Sequence, residues 1–493
     1  MSAPVVVEVL TAADAEASER RVAGSLLSSG LRAGDRVAFA LSSSAGLLCA
    51  VLGALRVGVV PVLLNPTLVD AERDVLLADA RPAAVILEPG QLAALDSGPP
   101  AELAPYPLAR PMHYTSGTTG RSKGVWSGQW SEAEAAAAFA DEADLWSFGP
   151  DDVHLVCSPM YHSVSTRFAG GTLLRGGTCV VLSRFEAGTA REVLAGAAGP
   201  VPTTTFVAPS ALQRLLDSSD DPSVLDSLRL LVHAGSPCPP ALKRRAMARV
   251  GPGVLWEFYG STEGQFTVCS PDEWSARPGT VGRARPGRTL SVEDDGTIWC
   301  RPPAFARFSY WGDEAKTESA WRDGAFTVGD LGRLDADGYL FIDGRRDDLI
   351  ISGGVNVYPA EVEAALSGAV GAAEVAVFGM DDERWGQRVC AAVVAAPTPG
   401  PGPDDDTDDT DDTDDTDDTD DTDDTDDTDD GAWSGSWADP EQAARLVGAL
   451  EVRASEQLAP YKRPKQYVVL GALPRTATGK VQRHLLPGLL DPG

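Results

Sequence analysis

Residues 114–125 of this 493-residue chain read YTSGTTGRSKGV. This stretch gathers hydroxyls, glycines and one lysine, namely Thr115, Ser116, Gly117, Thr118, Thr119, Gly120 and Lys123. Glycine lets the backbone approach an anion, and hydroxyl and backbone N–H groups donate hydrogen bonds to phosphate oxygens. The spacing therefore predicts a phosphate-binding loop. It is not a P-loop, because two residues separate Gly120 from Lys123.

The segments around this loop alternate between helix-like and strand-like patterns. The alternation runs from residue 20 to 100 and again from 151 to 250, which favours parallel βαβ units. The apolar stretch at 45–64 is interrupted by Arg56 and predicts a buried helix followed by a strand, not a membrane span. Short strands with Gly-Asp turns at 289–345 predict a β meander, and a compact α+β pattern begins after residue 348.

The net charge of −31 is concentrated in one segment. Residues 404–430 contain 19 Asp and 8 Thr and no other residue type. This run has no apolar side chain to bury, so we expect a disordered loop insertion, with cation or partner binding as the alternative. Without its 19 Asp the chain carries −12, which argues against nucleic acid or an anionic membrane as a partner.

The cysteines and the N-terminus indicate the cellular setting. Seven cysteines are scattered without a CxxC pair, which indicates buried thiols in a reducing cytosol. The first 21 residues show no basic stretch followed by an apolar run, so no signal peptide is expected. We expect a cytoplasmic protein without stable membrane insertion, either a monomer or a homodimer.

The loop TSGTTGRSKGV resembles the signature of the adenylate-forming (AMP-binding) superfamily, which includes acyl-CoA synthetases, adenylation domains of peptide synthetases and luciferases. Ser122 stands where that family usually has proline. The resemblance runs from about residue 34 to the C-terminal tail, with an abbreviated N-terminal edge. It implies an α/β fold with two domains. The first, 1–346, has layered parallel βα units and a small β-barrel-like unit; the second, 347–493, is a small mobile α+β domain that contains the acidic insertion.

Two further motifs resemble the nucleotide site of this family. In YGSTEG (259–264), the likeness implies that Tyr259 stacks on adenine, Thr262 bonds the α-phosphate and Glu263 holds Mg²⁺. A carboxylate beside phosphate suits Mg²⁺, and an aromatic face suits a purine. In the stretch 328–363, the likeness implies that Asp330 accepts both ribose hydroxyls and that Arg345 makes a second ribose or phosphate contact.

The resemblance also assigns roles in the C-terminal part. Asp347 falls at the hinge position, and Gly353 and Gly354 in SGGVNV lie in the segment that would be presented to coenzyme A. Lys480, in PRTATGKVQR, resembles the mobile lysine that lies between the substrate carboxylate and the ATP α-phosphate. A positive charge there would screen two anions that otherwise repel each other.

Two more segments resemble the acyl pocket. His162 in PMYHS is similar to a residue that lines the pocket in members that use carboxylic acids. HAGSPCPP (233–240) places Ala234 and Gly235 at the border of adenine and acyl group, and Phe258 precedes Tyr259 at the position of smaller residues in some relatives.

The resemblance implies an ATP-dependent acid–thiol ligase. It would activate a fatty or aryl acid to acyl-AMP and transfer the acyl group to coenzyme A, with ATP, Mg²⁺ and coenzyme A as cofactors. An amino-acid adenylating enzyme and an acyl-AMP ligase that loads a carrier protein remain alternatives. The PMYHS region offers no Asp for a substrate ammonium group. A non-catalytic scaffold is a third alternative, and the intact motifs argue against it.

Overall fold

The structure is a computed structural model that describes residues 4–115, 123–218, 222–352, 355–382, 385–396, 440–475 and 480–490. The chain divides into two compact units, residues 1–347 and 348–493. This boundary lies one residue after the one expected from sequence. That these units act as separate functional domains stays a prediction.

An eight-stranded sheet forms one layer of the first unit. Its strands, in spatial order, are β1 (Val7–Thr11), β8 (Thr178–Leu182), β7 (Val153–Val156), β9 (Thr204–Val207), β10 (Leu230–His233), β11 (Leu255–Gly260), β12 (Gln265–Cys269) and β13 (Arg283–Ala284). The five strands from β8 to β11 are parallel, and the flanking strands are antiparallel. The carboxyl ends of β7, β10 and β11 therefore lie at one edge, where α/β sheets bind ligands.

A six-stranded sheet forms a second layer. Its strands are β16 (Ser309–Tyr310), β6 (Lys123–Trp126), β5 (Met112–Thr115), β3 (Val60–Leu63), β2 (Arg36–Phe39) and β4 (Ala84–Ile86). The four strands from β5 to β4 are parallel, as the alternating pattern before residue 100 predicts. The strands β6 and β16 add antiparallel edges to this sheet.

Helices cover these sheets and connect their strands. They are α1 (Ala12–Ser28), α2 (Ala45–Leu55), α3 (Asp70–Ala80), α4 (Pro89–Leu95), α5 (Glu132–Trp146), α6 (Ser163–Leu174), α7 (Ala187–Leu194), α8 (Pro209–Asp217), α9 (Pro240–Arg249), α10 (Pro271–Ala276) and α11 (Glu314–Ala320). In the part of the chain that the structure describes, no helix combines the length and the apolar character that crossing a bilayer requires.

The apolar stretch at 45–64 forms a buried helix and a strand, as the sequence predicts. In α2, every residue from Leu47 to Leu55 is buried, and Ser44 caps the helix by accepting a hydrogen bond from the Leu47 N–H at 3.1 Å. A Cβ at Gly53 would lie 2.6 Å from the Glu19 carbonyl oxygen of α1, so glycine allows close helix packing. The buried Arg56 pairs with Glu19 at 2.7 Å, which compensates its charge inside the core.

Short strands complete the first unit between residues 289 and 345. A four-stranded sheet contains β14 (Thr289–Val292), β15 (Ile298–Arg301), β18 (Ala325–Phe326) and β17 (Trp321–Arg322). A hairpin pairs β19 (Asp330–Leu334) with β20 (Leu340–Arg345), and an isolated bridge between Thr297 and Leu331 joins it to the sheet segment. This is the predicted β meander.

The second unit is a five-stranded sheet with helices. The strands are β22 (Val355–Val357), β21 (Ile350–Ser352), β24 (Gly386–Ala395), β23 (Ala372–Asp382) and β25 (Gln466–Leu470), where β25 pairs in parallel with β24. The helices are α12 (Pro359–Leu366), α13 (Pro440–Gln457) and α14 (Pro487–Leu490). The Asp/Thr run at 404–430 lies outside the described residues.

Candidate active site

Two strands of the six-stranded sheet carry the ends of the phosphate-loop motif. Thr115 ends β5 and Lys123 begins β6, and the two are register partners in an antiparallel pair. Strand pairing therefore holds the two ends of the motif next to each other. Its remaining predicted ligands lie outside the described residues; they are Ser116, Gly117, Thr118, Thr119 and Gly120.

Tyr310 connects this strand pair to the second motif. It lies on β16 beside β6, is buried, and its hydroxyl donates a hydrogen bond to Oε1 of Glu263 at 2.9 Å. The Nζ atom of Lys123 lies 5.7 Å from the centroid of its ring, within the range of a cation–π contact. Burial and the adjacent Glu263 carboxylate raise the pKa of Tyr310, so it remains a neutral donor. Tyr310 belongs to none of the sequence motifs, and no local pattern marks it.

The YGSTEG motif forms the turn between β11 and β12. The Ser261 N–H donates to the Gly264 carbonyl oxygen at 2.8 Å, and the strand register shifts at Tyr259–Gly260. A Cβ at Gly264 would lie 2.7 Å from the ring of Phe326, so this turn packs against its neighbour only with glycine there. Glu263 is 8% exposed inside the turn, and Thr262 is half-buried beside it.

A second set of hydrogen-bonded side chains consists of Tyr259, Asp330 and Arg345. The Tyr259 hydroxyl donates to Oδ2 of the buried Asp330 at 2.6 Å, and Nε of Arg345 donates to Oδ1 at 3.0 Å. Burial and the neighbouring carboxylate raise the pKa of Tyr259 well above its usual value. Each carboxylate oxygen has a second lone pair, so Asp330 retains capacity for two further hydroxyl donors.

Buried polar atoms next to these side chains indicate whether a ligand would fit there. Ser261 Oγ and both amide atoms of the Gln265 side chain are buried without a hydrogen-bond partner among the described residues. Such atoms are costly in a folded protein unless something else bonds them. They flank the turn that carries Glu263, whose carboxylate suits Mg²⁺ together with phosphate oxygens. The residues present therefore fit a magnesium nucleotide.

Three of the four predicted acyl-pocket residues follow carboxyl ends of parallel strands: His162, Ala234 and Gly235. The fourth, Phe258, lies within β11. Ala234 and Phe258 belong to one buried apolar cluster, in which the Phe258 ring lies 6.0 Å from Phe206 and 6.2 Å from Trp146. Gly235 follows Ala234 with φ of +95°, a conformation that favours glycine. His162 is the N-cap residue of α6, and its ring lies 4.6 Å from that of Tyr161.

The remaining predicted residues belong to the interdomain segment and the second unit. Asp347 is the last residue of the first unit. Gly353 and Gly354 lie outside the described residues, between β21 and β22. Lys480 is exposed and precedes Val481, which forms a bridge with Arg475. The structure thus brings together the Tyr259, Glu263, Asp330, Arg345 and Lys123 side chains within the first unit, while Lys480 belongs to the second.

Comparison with known proteins identifies the family. The family model described as AMP-binding enzyme matches residues 4–108 and 109–304, which is more than half of the chain. The chain belongs to the AMP-binding enzyme family. The model for the C-terminal domain of AMP-binding enzymes matches residues 361–414. The resemblance carried by the phosphate-loop motif is therefore confirmed.

Curated relatives of this AMP-binding enzyme are CoA ligases. It is 30% identical to the indoleacetate–CoA ligase of Aromatoleum aromaticum, over 94% of this chain and 90% of the relative. It is also 30% identical to the 2-succinylbenzoate–CoA ligase of Bacillus licheniformis, over 95% and 92%. The long-chain-fatty-acid–CoA ligase of Mycobacterium tuberculosis is 27% identical, over 97% and 92%.

Solved structures share the fold of this AMP-binding enzyme. The o-succinylbenzoate CoA synthetase of Bacillus subtilis, in complex with its acyl-adenylate intermediate, aligns with a TM-score of 0.75 and 26% identity, over 96% of this chain and 92% of the other. The complex of that synthetase with ATP and a magnesium ion aligns with a TM-score of 0.74 and 25% identity, over 96% and 94%. The predicted α/β fold class is confirmed.

Proposed function

We propose that this AMP-binding enzyme activates a fatty or aryl carboxylic acid with ATP and transfers the acyl group to coenzyme A, giving acyl-CoA, AMP and pyrophosphate. The observation that carries the proposal is the polar network of the first unit. Tyr310 links Glu263 to the strand of Lys123, and Asp330 links Tyr259 to Arg345. The CoA ligases among its relatives act on acids with aromatic or long aliphatic groups, as their names state.

The first half-reaction joins the acid to AMP. The substrate carboxylate attacks the α-phosphorus of ATP, the bond to pyrophosphate breaks, and acyl-AMP forms. We assign the phosphates to residues 115–123 and Thr262, adenine to the face of Tyr259, and the ribose to Asp330 with Arg345. Glu263 would hold Mg²⁺, which would neutralise charge on the phosphates when bound. Lys480 would screen the repulsion between carboxylate and phosphate.

The second half-reaction exchanges AMP for a thiol. The coenzyme A thiol loses its proton and attacks the acyl carbon, and AMP leaves with the bonding electrons. We assign Asp347 as the hinge, so that rotation of the second unit withdraws Lys480 and presents Gly353 and Gly354 to coenzyme A. Movement of one unit would let a single cleft carry out two reactions in sequence.

Pyrophosphate release across a panel of carboxylic acids, with and without coenzyme A, tests this function. We expect ATP-dependent release with fatty or aryl acids, and acyl-CoA formation once coenzyme A is added. Absence of release with every acid would refute the enzyme assignment. Release with amino acids alone, or acyl-AMP that reacts with a carrier protein and not with coenzyme A, would favour the corresponding alternative.

A further inference from the structure

A cluster of buried charges lies beside Phe258, one of the predicted acyl-pocket residues. We call it the arginine cluster, and its members are Arg110, Arg167, Arg285, Arg288, Asp141 and Glu142. Arg285 is 1% exposed and donates to Oε1 of Glu142 at 3.0 Å and to Oδ2 of Asp141 at 2.7 Å. Arg288 also pairs with Asp141, donating to Oδ2 at 2.8 Å.

The carboxylates of the arginine cluster are already engaged. Arg285 and Arg288 share Asp141, and the second oxygen of Glu142 accepts from the Trp146 indole N–H at 3.1 Å. Arg110 and Arg167 also interact electrostatically with Glu142, so four guanidinium groups share two carboxylates, an excess of two positive charges. Although burial acts to raise it, these guanidinium groups lower the pKa of Glu142. Burial and the charge of Arg167 lower the pKa of Arg110 to about 10.

Arg167 is the member of the cluster that contacts Phe258. It lies on α6, five residues after His162. Its guanidinium carbon lies 5.5 Å from the centroid of the Phe258 ring. Its contact with the protein is weak, since Nε lies 3.4 Å from Oε1 of Glu142.

The Nη2 atom of Arg167 has no hydrogen-bond acceptor in the part of the chain that the structure describes. This atom is buried and has no hydrogen-bond partner among the described residues, although the side chain as a whole is 24% exposed. A buried guanidinium without full compensation is costly, because it has lost water and gained no equivalent acceptor. Arg285 and Arg288 already pair with both carboxylates of α5, so Asp141 and Glu142 do not need Arg167 to compensate their charge. An anion bound beside Arg167 would compensate both the unpaired atom and the excess positive charge.

We propose that Arg167 binds a second anionic group at the far end of the substrate, so that the preferred acid carries a second carboxylate. The inference rests on the proposed function, because it assumes that the pocket beside Phe258 receives the acyl group. Arg167 is then a specificity-determining residue. The reacting carboxylate would lie near the phosphates, and the distal carboxylate would accept a hydrogen bond from Nη2.

Paired substrates test this inference on the wild-type enzyme. The probes are α,ω-dicarboxylic acids from glutarate to suberate, each compared with the monocarboxylic acid of equal chain length, and the readout is kcat/KM for pyrophosphate release. We expect the best diacid to exceed its matched monoacid at least tenfold, which is about 1.4 kcal/mol. The monomethyl ester of that diacid, which has no distal charge, should lose this advantage. Equal or better use of monoacids throughout would overturn the inference.

Variants of Arg167 show whether this side chain is responsible. Arg167→Leu should reduce the ratio of diacid to monoacid kcat/KM at least tenfold. Arg167→Lys should retain part of the ratio because it keeps a positive charge. Arg175→Leu, at the exposed end of the same helix, is the matched control and should leave the ratio unchanged.

The outcomes separate this inference from the proposed function. Pyrophosphate release with monoacids at rates equal to those with diacids would refute the role of Arg167 and leave the ligase assignment intact. No release with any acid would refute the ligase assignment itself. If Arg167→Leu does not fold, the comparison of diacid with its monoester on the wild-type enzyme still decides the matter.

Discussion

The hydroxyl of Tyr310 donates a hydrogen bond to the carboxylate of Glu263. The two residues are 47 positions apart in sequence and lie 2.9 Å apart in the structure. A buried carboxylate needs donors to stay charged, and a hydrogen bond to a charged group contributes about 1.5–3 kcal/mol. The Nζ atom of Lys123 lies over the ring of the same tyrosine. Tyr310 therefore positions both residues, Lys123, which we assign to phosphate binding, and Glu263, which we assign to magnesium binding.

Tyr310→Phe should therefore weaken magnesium-dependent catalysis. We expect a roughly tenfold lower kcat/KM for ATP and a higher Mg²⁺ requirement, together with about 1–2 kcal/mol lower free energy of unfolding, since one donor to a buried acceptor is lost. Pyrophosphate release at varied Mg²⁺ and urea denaturation measure the two effects. Tyr339→Phe is the control, because that hydroxyl contacts Glu273 at 3.4 Å outside the proposed site. Unchanged Mg²⁺ dependence would exclude a role for Tyr310 in holding Glu263.

At the scale of elements, side chains at helix starts decide where several helices begin. Ser131 and Ser270 form capping boxes with Glu134 and Glu273. Helix α7 uses Glu186 instead, which accepts from the Gly188 N–H at 2.9 Å and the Thr189 N–H at 2.6 Å. These bonds, with that from the Thr189 hydroxyl, lower the pKa of Glu186 to about 2.

The cap at Glu186 predicts a pH-dependent stability difference. The folded pKa of about 2 lies below the unfolded value of about 4.3, so the charged cap stabilises the fold fully above the unfolded value, and this contribution is lost as the pH falls through about 2. Glu186→Gln should lower the free energy of unfolding by about 0.5–1 kcal/mol near neutral pH, and by less toward pH 2.

Urea denaturation of both proteins at several pH values measures this difference. Glu192→Gln, at an exposed position of the same helix, is the control and should show no such trend. A difference between wild type and Glu186→Gln that stays constant from neutral to acidic pH would contradict the charged-cap interpretation.

At the scale of the whole molecule, the residues that we assign to the reaction are distributed over two compact units. The network around Glu263 and Asp330 belongs to residues 1–347, and Lys480 belongs to residues 348–493. The proposed use of Lys480 in one half-reaction only would require movement of one unit relative to the other.

Lys480→Ala should separate the two half-reactions. We expect adenylate formation to fall about 10²–10³-fold, while thioester formation from supplied acyl-AMP and coenzyme A continues near its original rate. Pyrophosphate release and acyl-CoA formation measure these steps, with Lys465→Ala, an exposed lysine of the same unit, as the control. Equal loss of both activities would refute the alternation of units.

Deletion of residues 404–430 should leave activity and Tm nearly unchanged. The flanking elements pack without this segment, since β24 pairs with β23 and β25, and α13 contributes Leu446 and Leu450 to the buried core. Thermal denaturation and pyrophosphate release of the deleted protein test this. A large loss of either would show that the acidic run supports the fold or the reaction.

Local sequence determined the fold class, and it predicted the phosphate-loop and nucleotide-binding residues. Helix and strand periodicity is local, so the alternation before residue 100 and the buried helix at 45–64 could be predicted from residue order. The glycines and hydroxyls clustered within 115–120 predict phosphate binding for the same reason, since the predicted ligands are neighbours in the chain.

Only the tertiary structure decided which distant residues meet. Tyr310 reaches Glu263 because β16 pairs with β6 across a separation of more than 180 residues, and Arg285 reaches Asp141 across 144. Neither pairing leaves a local pattern in the sequence. The excess positive charge beside Phe258 likewise cannot be predicted from composition. The sequence does not distinguish an arginine whose side chain is fully paired from one with a buried, unpaired Nη2 atom. What distinguishes them is the number of carboxylates that the fold brings within reach.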